Sequence, residues 1–331
     1  MLNHPMNRRI VPLLVVACSA SCGDEFTQGI EQSMRVEGAV FRSERMPGVA
    51  PQSEGSSEGS SEVVAGPVVT AVEVTNSIIV PWQQGRRLAG RASADAFSVG
   101  IQLADDVETG YWVVPVQAPD PLANNEYTFE VTWSAGDLAP GLTDVRLVAL
   151  DEQGRGGLQR NVPVCVVPEY PDNLNACDST LRPPDTVVTL TWNSEADLDL
   201  FLIAPDGRVL DARQPLWIAA GTPATSADAR NPVVPRHLGD SQANCDGDVR
   251  RRETVVFDQS PGDGTWLVYA RASGLCGASS AAARLEVLRN LQLSDGTWQL
   301  LSTGIVSTTF GLEQLAQDRA DGTYLVAVSF P

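Results

Sequence analysis

The sequence contains no lysine, so all 23 of its basic residues are arginine. The missing amine excludes Schiff-base chemistry and every mechanism that needs a lysine nucleophile. Histidine is almost as scarce, because His4 and His237 are the only two. A metal site built from several histidines is therefore excluded, and a histidine-dependent triad would rest on His237 alone. In many hydrolases the nucleophilic serine lies on a turn between a strand and a helix, and we predict no serine in such a position here. We therefore expect no enzyme activity.

The sequence also has no apolar run that approaches the roughly 20 residues a helix needs to cross a bilayer. One short run, residues 10–17, follows Arg8 and Arg9 and ends at Cys18. A charged start followed by a short apolar core is typical of a secretory signal. We therefore predict an export signal at residues 1–22.

The end of this signal, Val15-Val16-Ala17-Cys18, resembles the lipobox of bacterial lipoproteins. In that family the cysteine is freed by cleavage, acylated and becomes the mature N-terminus. We favour Cys18 as the lipidated residue because Val15 lies three positions before it. Cys22 is the alternative, since cleavage there would leave an even set of four cysteines. Aspartate follows neither cysteine directly, so the resemblance implies a lipid anchor in the cell envelope at the outer membrane.

Acidic residues outnumber basic ones by 41 to 23, and the formal net charge is −18. The signal carries two arginines and no acid, so its removal leaves a charge of −20. A polyanion of this size repels nucleic acid and anionic membrane surfaces, and we expect no nucleic-acid partner. The same charge is compatible with divalent cations.

Residues 23–66 show no sustained apolar period and contain a Ser-Glu-Gly repeat at residues 53–62. Such a composition buries too little apolar surface to offset the entropy lost on ordering. We therefore predict a flexible linker over residues 23–66. A tether of this length spans about 35–40 Å and would hold the following domains clear of the membrane.

From residue 67 to residue 168, apolar and polar residues alternate with period two between turn residues. The clearest example is Tyr-Thr-Phe-Glu-Val-Thr-Trp at residues 127–133, which predicts a half-buried antiparallel strand. The segment from Pro140 to Gly154 resembles the penultimate strand of bacterial immunoglobulin-like domains. The resemblance and the spacing of the strands imply an immunoglobulin-like β-sandwich over residues 67–168.

The remaining four cysteines suggest two disulfides. Cys165 and Cys177 are twelve residues apart, and Cys177 lies within a junction at residues 169–184. A disulfide between them would stiffen this junction. Cys245 and Cys276 would join a long loop to the end of a strand. Disulfides persist in oxidising compartments, in agreement with export.

The second domain, residues 185–331, carries the more specific resemblance. The segment from Trp192 to Gly207 resembles the W-(D/N)-x-x-x-D-L-D-L pattern of the YfaP-type domains, an extracellular β-sandwich family related to bacterial pre-peptidase C-terminal domains. The resemblance extends through residues 252–257 and 261–269. It implies a β-sandwich that binds or assists rather than catalyses.

Three Asp-Gly-Thr-aromatic segments, which begin at Asp263, Asp295 and Asp321, reinforce this fold assignment. Asp-Gly favours a tight turn because glycine accepts a positive φ, and Thr and the aromatic residue favour a strand. The chain as a whole therefore predicts an all-β protein, with two antiparallel β-sandwich domains in tandem after the signal and the linker.

Asp197 and Asp199 lie two residues apart on a predicted strand, so both carboxylates point to one face. The loop at residues 240–248 offers further oxygens, and Ca²⁺ takes six to eight of them. We predict one Ca²⁺ shared by the pair and this loop. The predicted ligands are Asp197, Asp199, Asp240, Asn244, Asp246 and Asp248. In the alternative interpretation, these residues cap backbone N–H groups and bind no metal.

These observations favour a non-catalytic lipoprotein of the cell envelope that displays β-sandwich domains for binding or adhesion. Its partners would be the membrane, through the N-terminal lipid, and an envelope or extracellular protein or glycan. The alternative is an accessory module of an exported hydrolase or secretion complex.

Overall fold

The computed structural model describes residue 29 and residues 32–49, 66–81, 83–104, 110–218, 222–247, 250–315 and 322–331. The predicted signal, with Cys18 and Cys22, lies outside these ranges. Within them nearly all of the regular secondary structure is β-strand, which confirms the all-β prediction. No helix in the described ranges is long and apolar enough to cross a membrane.

Eleven of the described strands form the first domain. They are β1 (Met34–Val36), β2 (Val40–Arg42), β3 (Val69–Val74), β4 (Ile78–Ile79), β5 (Arg86–Ala92), β6 (Ser98–Leu103), β7 (Tyr111–Pro115), β8 (Pro119–Asp120), β9 (Glu126–Ala135), β10 (Gly141–Leu150) and β11 (Arg160–Val166). One sheet has the order β1-β9-β5-β3, with β8 beside β9, and the other has the order β2-β7-β6-β10-β11-β4. The strands pair antiparallel except β4, which runs parallel to β11.

The first core lies between these two sheets. In β9 the predicted alternation is confirmed, because Phe129, Val131 and Trp133 are buried while Glu130 is exposed. Ile101 and Leu147 of the facing sheet belong to the same buried cluster. The two sheets therefore form the predicted immunoglobulin-like β-sandwich.

The predicted linker at residues 23–66 is wrong for residues 32–49. β1 pairs with β9 and β2 pairs with β7, so each sheet gains an edge strand from this segment. Met34 and Val36 are buried in the first core, and Trp112 donates its indole N–H to the Met34 carbonyl at 2.8 Å. Strands of three residues are too short to show a period, but they cover apolar surface at the edges of β9 and β7. The Ser-Glu-Gly repeat lies outside the described residues.

Nine further strands form the second domain. They are β12 (Thr186–Trp192), β13 (Asp197–Ile203), β14 (Val209–Leu210), β15 (Arg236–His237), β16 (Arg252–Phe257), β17 (Gly264–Gly274), β18 (Ser280–Gln292), β19 (Trp298–Gly311) and β20 (Thr323–Phe330). Two short 3-10 helices, Asp228–Arg230 and Ala243–Cys245, lie in the long connection between β14 and β16. Residues 312–315 are helical.

The second core is also enclosed by two sheets. Their orders are β15-β16-β12-β18-β19 and β14-β13-β17-β20, and one buried cluster draws side chains from both. Trp266 and Phe257 pack edge to face at its centre, with ring centroids 5.2 Å apart. Asp295-Gly296 precedes β19 and Gly322 precedes β20, with glycine φ of +87° and +66°. Gly264 is already the first residue of β17, and Asp321 lies outside the described residues. The second β-sandwich is thereby confirmed.

Both predicted disulfides are present, with Cα–Cα distances of 5.6 Å for Cys165–Cys177 and 5.4 Å for Cys245–Cys276. The first joins the end of β11 to the junction at residues 169–184. The junction is bonded in turn to the second domain, because the Asn175 amide donates to the Trp298 carbonyl at 3.0 Å.

We expect Met34→Ala to lower the free energy of unfolding by about 2–5 kcal/mol, because it opens a cavity in the first core. The chain should carry serine at residues 18 and 22 to prevent lipid attachment, and stability should be read from urea unfolding. Val40→Ala in the exposed part of β2 is the matched control and should cost less than about 1 kcal/mol. An equally small loss for Met34→Ala would show that this segment does not belong to the sandwich.

Candidate cation site in the second domain

Three carboxylates meet beside the start of β13. Asp197 and Asp199 project from one side of the strand, while Leu198 and Leu200 are fully buried in the core on the other side. Asp240 comes from the loop between β15 and β16. One oxygen of each carboxylate lies within 4.8 Å of the others. The structure therefore brings together three of the six predicted ligands, from two segments about 40 residues apart.

These carboxylates line an open cleft of about 380 Å³. Asp211, Arg213 and Arg271 line it as well, so the cleft contains both signs of charge. Asp199 is held by the Arg271 guanidinium, 3.0 Å away, and by the Ser273 hydroxyl. Asp199 is thus already fixed in position at the wall of the cleft.

Asp197 is in a different situation, because it is only 5% exposed. Its Oδ2 accepts the Asn244 backbone N–H at 2.9 Å, whereas its Oδ1 has no hydrogen-bond partner among the described residues. Burial, together with the negative charge of Asp199, raises the pKa of Asp197 to about 6. A buried carboxylate oxygen without a partner is costly unless a proton or a cation satisfies it.

The loop that carries Asp240 is fastened over Asp197 by the Cys245–Cys276 disulfide. Gly274 lies beneath this bond, and a Cβ there would be 3.2 Å from the Cys245 sulfur and 3.8 Å from the Asp197 Cβ. Asn244 and Cys245 adopt left-handed backbone conformations, with φ of 56° and 64°. The disulfide therefore stabilises a sharply bent loop in contact with the site.

Beneath the cleft, the buried carboxylate of Glu253 joins the two segments that supply the aspartates. It accepts the Leu200 N–H at 2.6 Å and the Ser241 N–H at 3.3 Å. These are the residues next to Asp199 and Asp240, so Glu253 sets the separation of the two carboxylates. Its side chain is fully buried, and this burial raises the pKa of Glu253.

His237 completes this buried arrangement. Its Nε2 lies 3.1 Å from the Leu200 carbonyl oxygen and 3.2 Å from a Glu253 carboxylate oxygen. Because the carbonyl can only accept, Nε2 carries the proton and donates it. The His237 side chain is fully buried, so it does not reach solvent in this structure.

The sequence did not identify Glu253 and His237 as parts of the site. The available signal was a glutamate just before the apolar residues Val255, Val256 and Phe257 of β16. A charged residue so close to a buried run is typical of a buried polar network. Of the other predicted ligands, Asn244 lines the cleft and contributes its backbone N–H to Asp197. Asp246 is exposed and does not line the cleft. Asp248 lies outside the described residues.

No family model matches the chain, and no curated protein matches it. Among solved structures, it is similar to the fibronectin(III)-like modules of Clostridium thermocellum CbhA, with 9% identity, coverage of 76% of this chain and 99% of that chain, and a TM-score of 0.19. The γ-CGTase from alkalophilic Bacillus clarkii gives 10% identity, coverage of 76% of this chain and 26% of that chain, and a TM-score of 0.20. Rst D1-D2 gives 8% identity, coverage of 74% of this chain and 98% of that chain, and a TM-score of 0.21. At these TM-scores the likenesses carry no argument about function.

We expect Glu253→Ala to lower the free energy of unfolding by about 2–5 kcal/mol, because two buried N–H groups lose their acceptor. The measurement is urea unfolding at neutral pH in the presence of EGTA. Glu286→Ala removes a carboxylate that is paired with Arg284 near the surface, and this control should cost less than about 1 kcal/mol. Equal losses for the two variants would contradict the role assigned to Glu253.

Proposed function

We propose that this protein is an exported, non-catalytic binding protein of the cell envelope, whose second domain binds its ligand with the help of Ca²⁺. The observation that carries the proposal is the meeting of Asp197, Asp199 and Asp240 around a buried oxygen that has no partner in the described structure. The first domain and the junction connect this site to the N-terminal anchor.

The charges around the cleft fit a divalent cation. Asp197, Asp199 and Asp240 carry three negative charges when ionised, and Arg271 offsets one of them. Asp211 and Arg213 on the rim offset each other. Two negative charges therefore remain, and one divalent ion would balance them.

The donor atoms favour Ca²⁺ over other ions. Carboxylate oxygens are hard ligands, and neither histidine nor free thiol is present among the residues that line the cleft. Two oxygens on opposite sides of a Ca²⁺ ion are about 4.8 Å apart. One oxygen of each carboxylate lies within this limit of the others. The flexible coordination of Ca²⁺ demands less exact ligand positions than the strict octahedron of Mg²⁺.

The same geometry supports a role in ligand recognition. One oxygen from each of the three carboxylates gives three ligands, fewer than the six to eight oxygens that Ca²⁺ takes. The remaining positions would be open to water or to oxygens of a ligand. A glycan hydroxyl or a protein carboxylate offers such oxygens. The cleft volume of about 380 Å³ falls within the range of small-ligand sites.

A non-catalytic role is supported by the chemistry of the described domains. His237 is buried against Glu253, with no serine, threonine or cysteine side chain bonded to its ring. All four cysteines of the two domains form disulfides, so no thiol is free in them to act as a nucleophile. The absence of lysine removes the remaining common nucleophile.

Two disulfides indicate an oxidising environment outside the cytoplasm. We extend this to a lipid anchor on Cys18, with Cys22 as the alternative, in the outer membrane. The support for the anchor is the lipobox resemblance, and residues between the anchor and residue 32 would serve as the tether. The YfaP-type resemblance of residues 185–331 likewise supports a binding role.

We expect millimolar Ca²⁺ to raise the melting temperature of the chain by several degrees relative to EGTA, because the ion binds the folded state. Asp197→Asn combined with Asp199→Asn should abolish this rise and the heat of binding in titration calorimetry. The matched control is Asp206→Asn combined with Asp295→Asn, two changes in exposed turns. This control should keep both the rise in melting temperature and the heat of binding. A wild-type chain that shows neither effect would refute the calcium site.

We expect a labelled palmitate precursor to be incorporated into the wild-type chain expressed in a bacterial host. Cys18→Ser should abolish the label and release the protein from the membrane fraction, whereas Cys22→Ser should leave both unchanged. Loss of the label only in Cys22→Ser would move the anchor to Cys22. A wild-type chain without label would overturn the lipoprotein assignment.

A further inference from the structure

The second sandwich has one side on which both sheets end in a long open strand. Among the described strands, β19 is the last of one sheet and pairs with β18, and β20 is the last of the other and pairs with β17. The two edges lie on the same side of the sandwich, because β20 contacts β18, the neighbour of β19. Arg289 of β18 donates to the Ser329 carbonyl of β20 at 2.6 Å. Unpaired backbone groups therefore lie along both layers of this side of the sandwich.

These two edges differ from all the other sheet edges in the described structure. β4, β8, β14 and β15 have two residues each, and β1 and β2 have three. β3 has six residues and carries Glu73. In contrast, β19 has fourteen residues and β20 has eight. Short or charged edges are the usual protection against pairing with another chain. β19 and β20 have neither of these two features, and each contains one β-bulge, at Thr303 and at Leu325.

The open side also lacks charge. The 22 residues of β19 and β20 include no acidic or basic side chain, although charged residues make up 19% of the chain. Ile305 in β19 and Tyr324 in β20 are 50% and 51% exposed. In a chain of net charge −18, this is a neutral and partly apolar strip.

Part of β19 is already engaged by the junction. The Trp298 N–H donates to the Ser179 carbonyl at 2.7 Å, and residues 298–301 line a groove with the junction. At the other end, the Gly311 N–H donates to the Gln314 side chain at 2.9 Å. The stretch from Gly304 to Phe310, beyond the bulge at Thr303, is a regular part of β19 to which the described residues add no further strand.

We propose that β19 pairs antiparallel with β19 of a second copy of this chain and joins two five-stranded sheets into one continuous sheet. Antiparallel pairing of identical strands has two-fold symmetry, so the contact closes as a dimer and does not extend into a fibre. Residues 304–310 would form about seven main-chain hydrogen bonds, within the range of a typical protein interface.

A second copy is favoured over an unrelated partner by charge and by register. Two polyanions repel each other, and the neutral strip is where their backbones approach without facing like charges. A register centred on Ser307 would place Ser307 against its own symmetry mate and would keep the bulge at Thr303 outside the contact. It would also place Ile305 opposite Thr309 of the partner subunit, a favourable cross-strand pair.

The test is sedimentation equilibrium of the full chain with Cys18→Ser and Cys22→Ser, from low to high micromolar concentration. We expect the mass to rise from 35.3 kDa to twice that value. Added NaCl should strengthen the association, because it screens repulsion between the two polyanions. The result should be the same in EGTA and in Ca²⁺, which separates this proposal from the calcium site.

Ile305→Lys combined with Ser307→Lys places charge at the centre of the pairing and should keep the protein monomeric. Leu142→Lys is the matched control, because it makes the same kind of change at an exposed strand position of the first domain and should leave the dimer intact. If circular dichroism shows that the double variant is unfolded, Thr309→Lys replaces it.

Hydrogen exchange gives an independent measure of the contact. Backbone amides within residues 304–310 should exchange more slowly at high protein concentration than at low concentration. A wild-type chain that stays monomeric at all concentrations would overturn the proposal. A dimer that survives Ile305→Lys/Ser307→Lys, or protection confined to other strands, would overturn it as well.

Discussion

Each sheet of this protein has an apolar face, and the need to remove that face from water governs the rest of the structure. Two pairs of sheets meet this need by enclosing two separate cores. The same requirement draws in residues 34–42, whose two short strands complete the edges of the first sandwich. Burial of Met34 and Val36 offsets the entropy lost in ordering this segment, which a purely polar tether could not do.

The second sandwich adds a polar constraint to this apolar one. Glu253 lies inside the domain, and its buried carboxylate accepts N–H groups from the two segments that carry Asp199 and Asp240. The Cys245–Cys276 disulfide holds the adjoining loop from the other side. The acidic cleft is therefore preorganised by covalent and hydrogen-bonded supports, and a cation would meet carboxylates that are already in place.

The acidic cleft and the open side of the second domain differ in charge. The chain concentrates acidic side chains where a cation would balance them and leaves β19 and β20 without any. Repulsion between copies is then weakest at the neutral edge, where unpaired backbone groups favour strand pairing. A dimer formed there and tethered by two lipid anchors would present two clefts, and it would gain avidity for a repeated ligand.

Local patterns in the sequence determined most of the fold. Alternation at residues 127–133, the Asp-Gly turns and the cysteine spacings predicted strands, turns and both disulfides, because each depends on residues close in sequence or on simple parity. The pairing of Asp197 and Asp199 on one face followed from the strand period. The sequence also proposed the loop at residues 240–248 as their partner. Tertiary structure alone decided which residues of that loop take part, since Asp240 joins the pair and Asp246 does not, and it decided that residues 34–42 belong to the first sandwich. It also decided that His237 and Glu253 are buried together, because these contacts join segments far apart in the chain and arise only when the sheets pack.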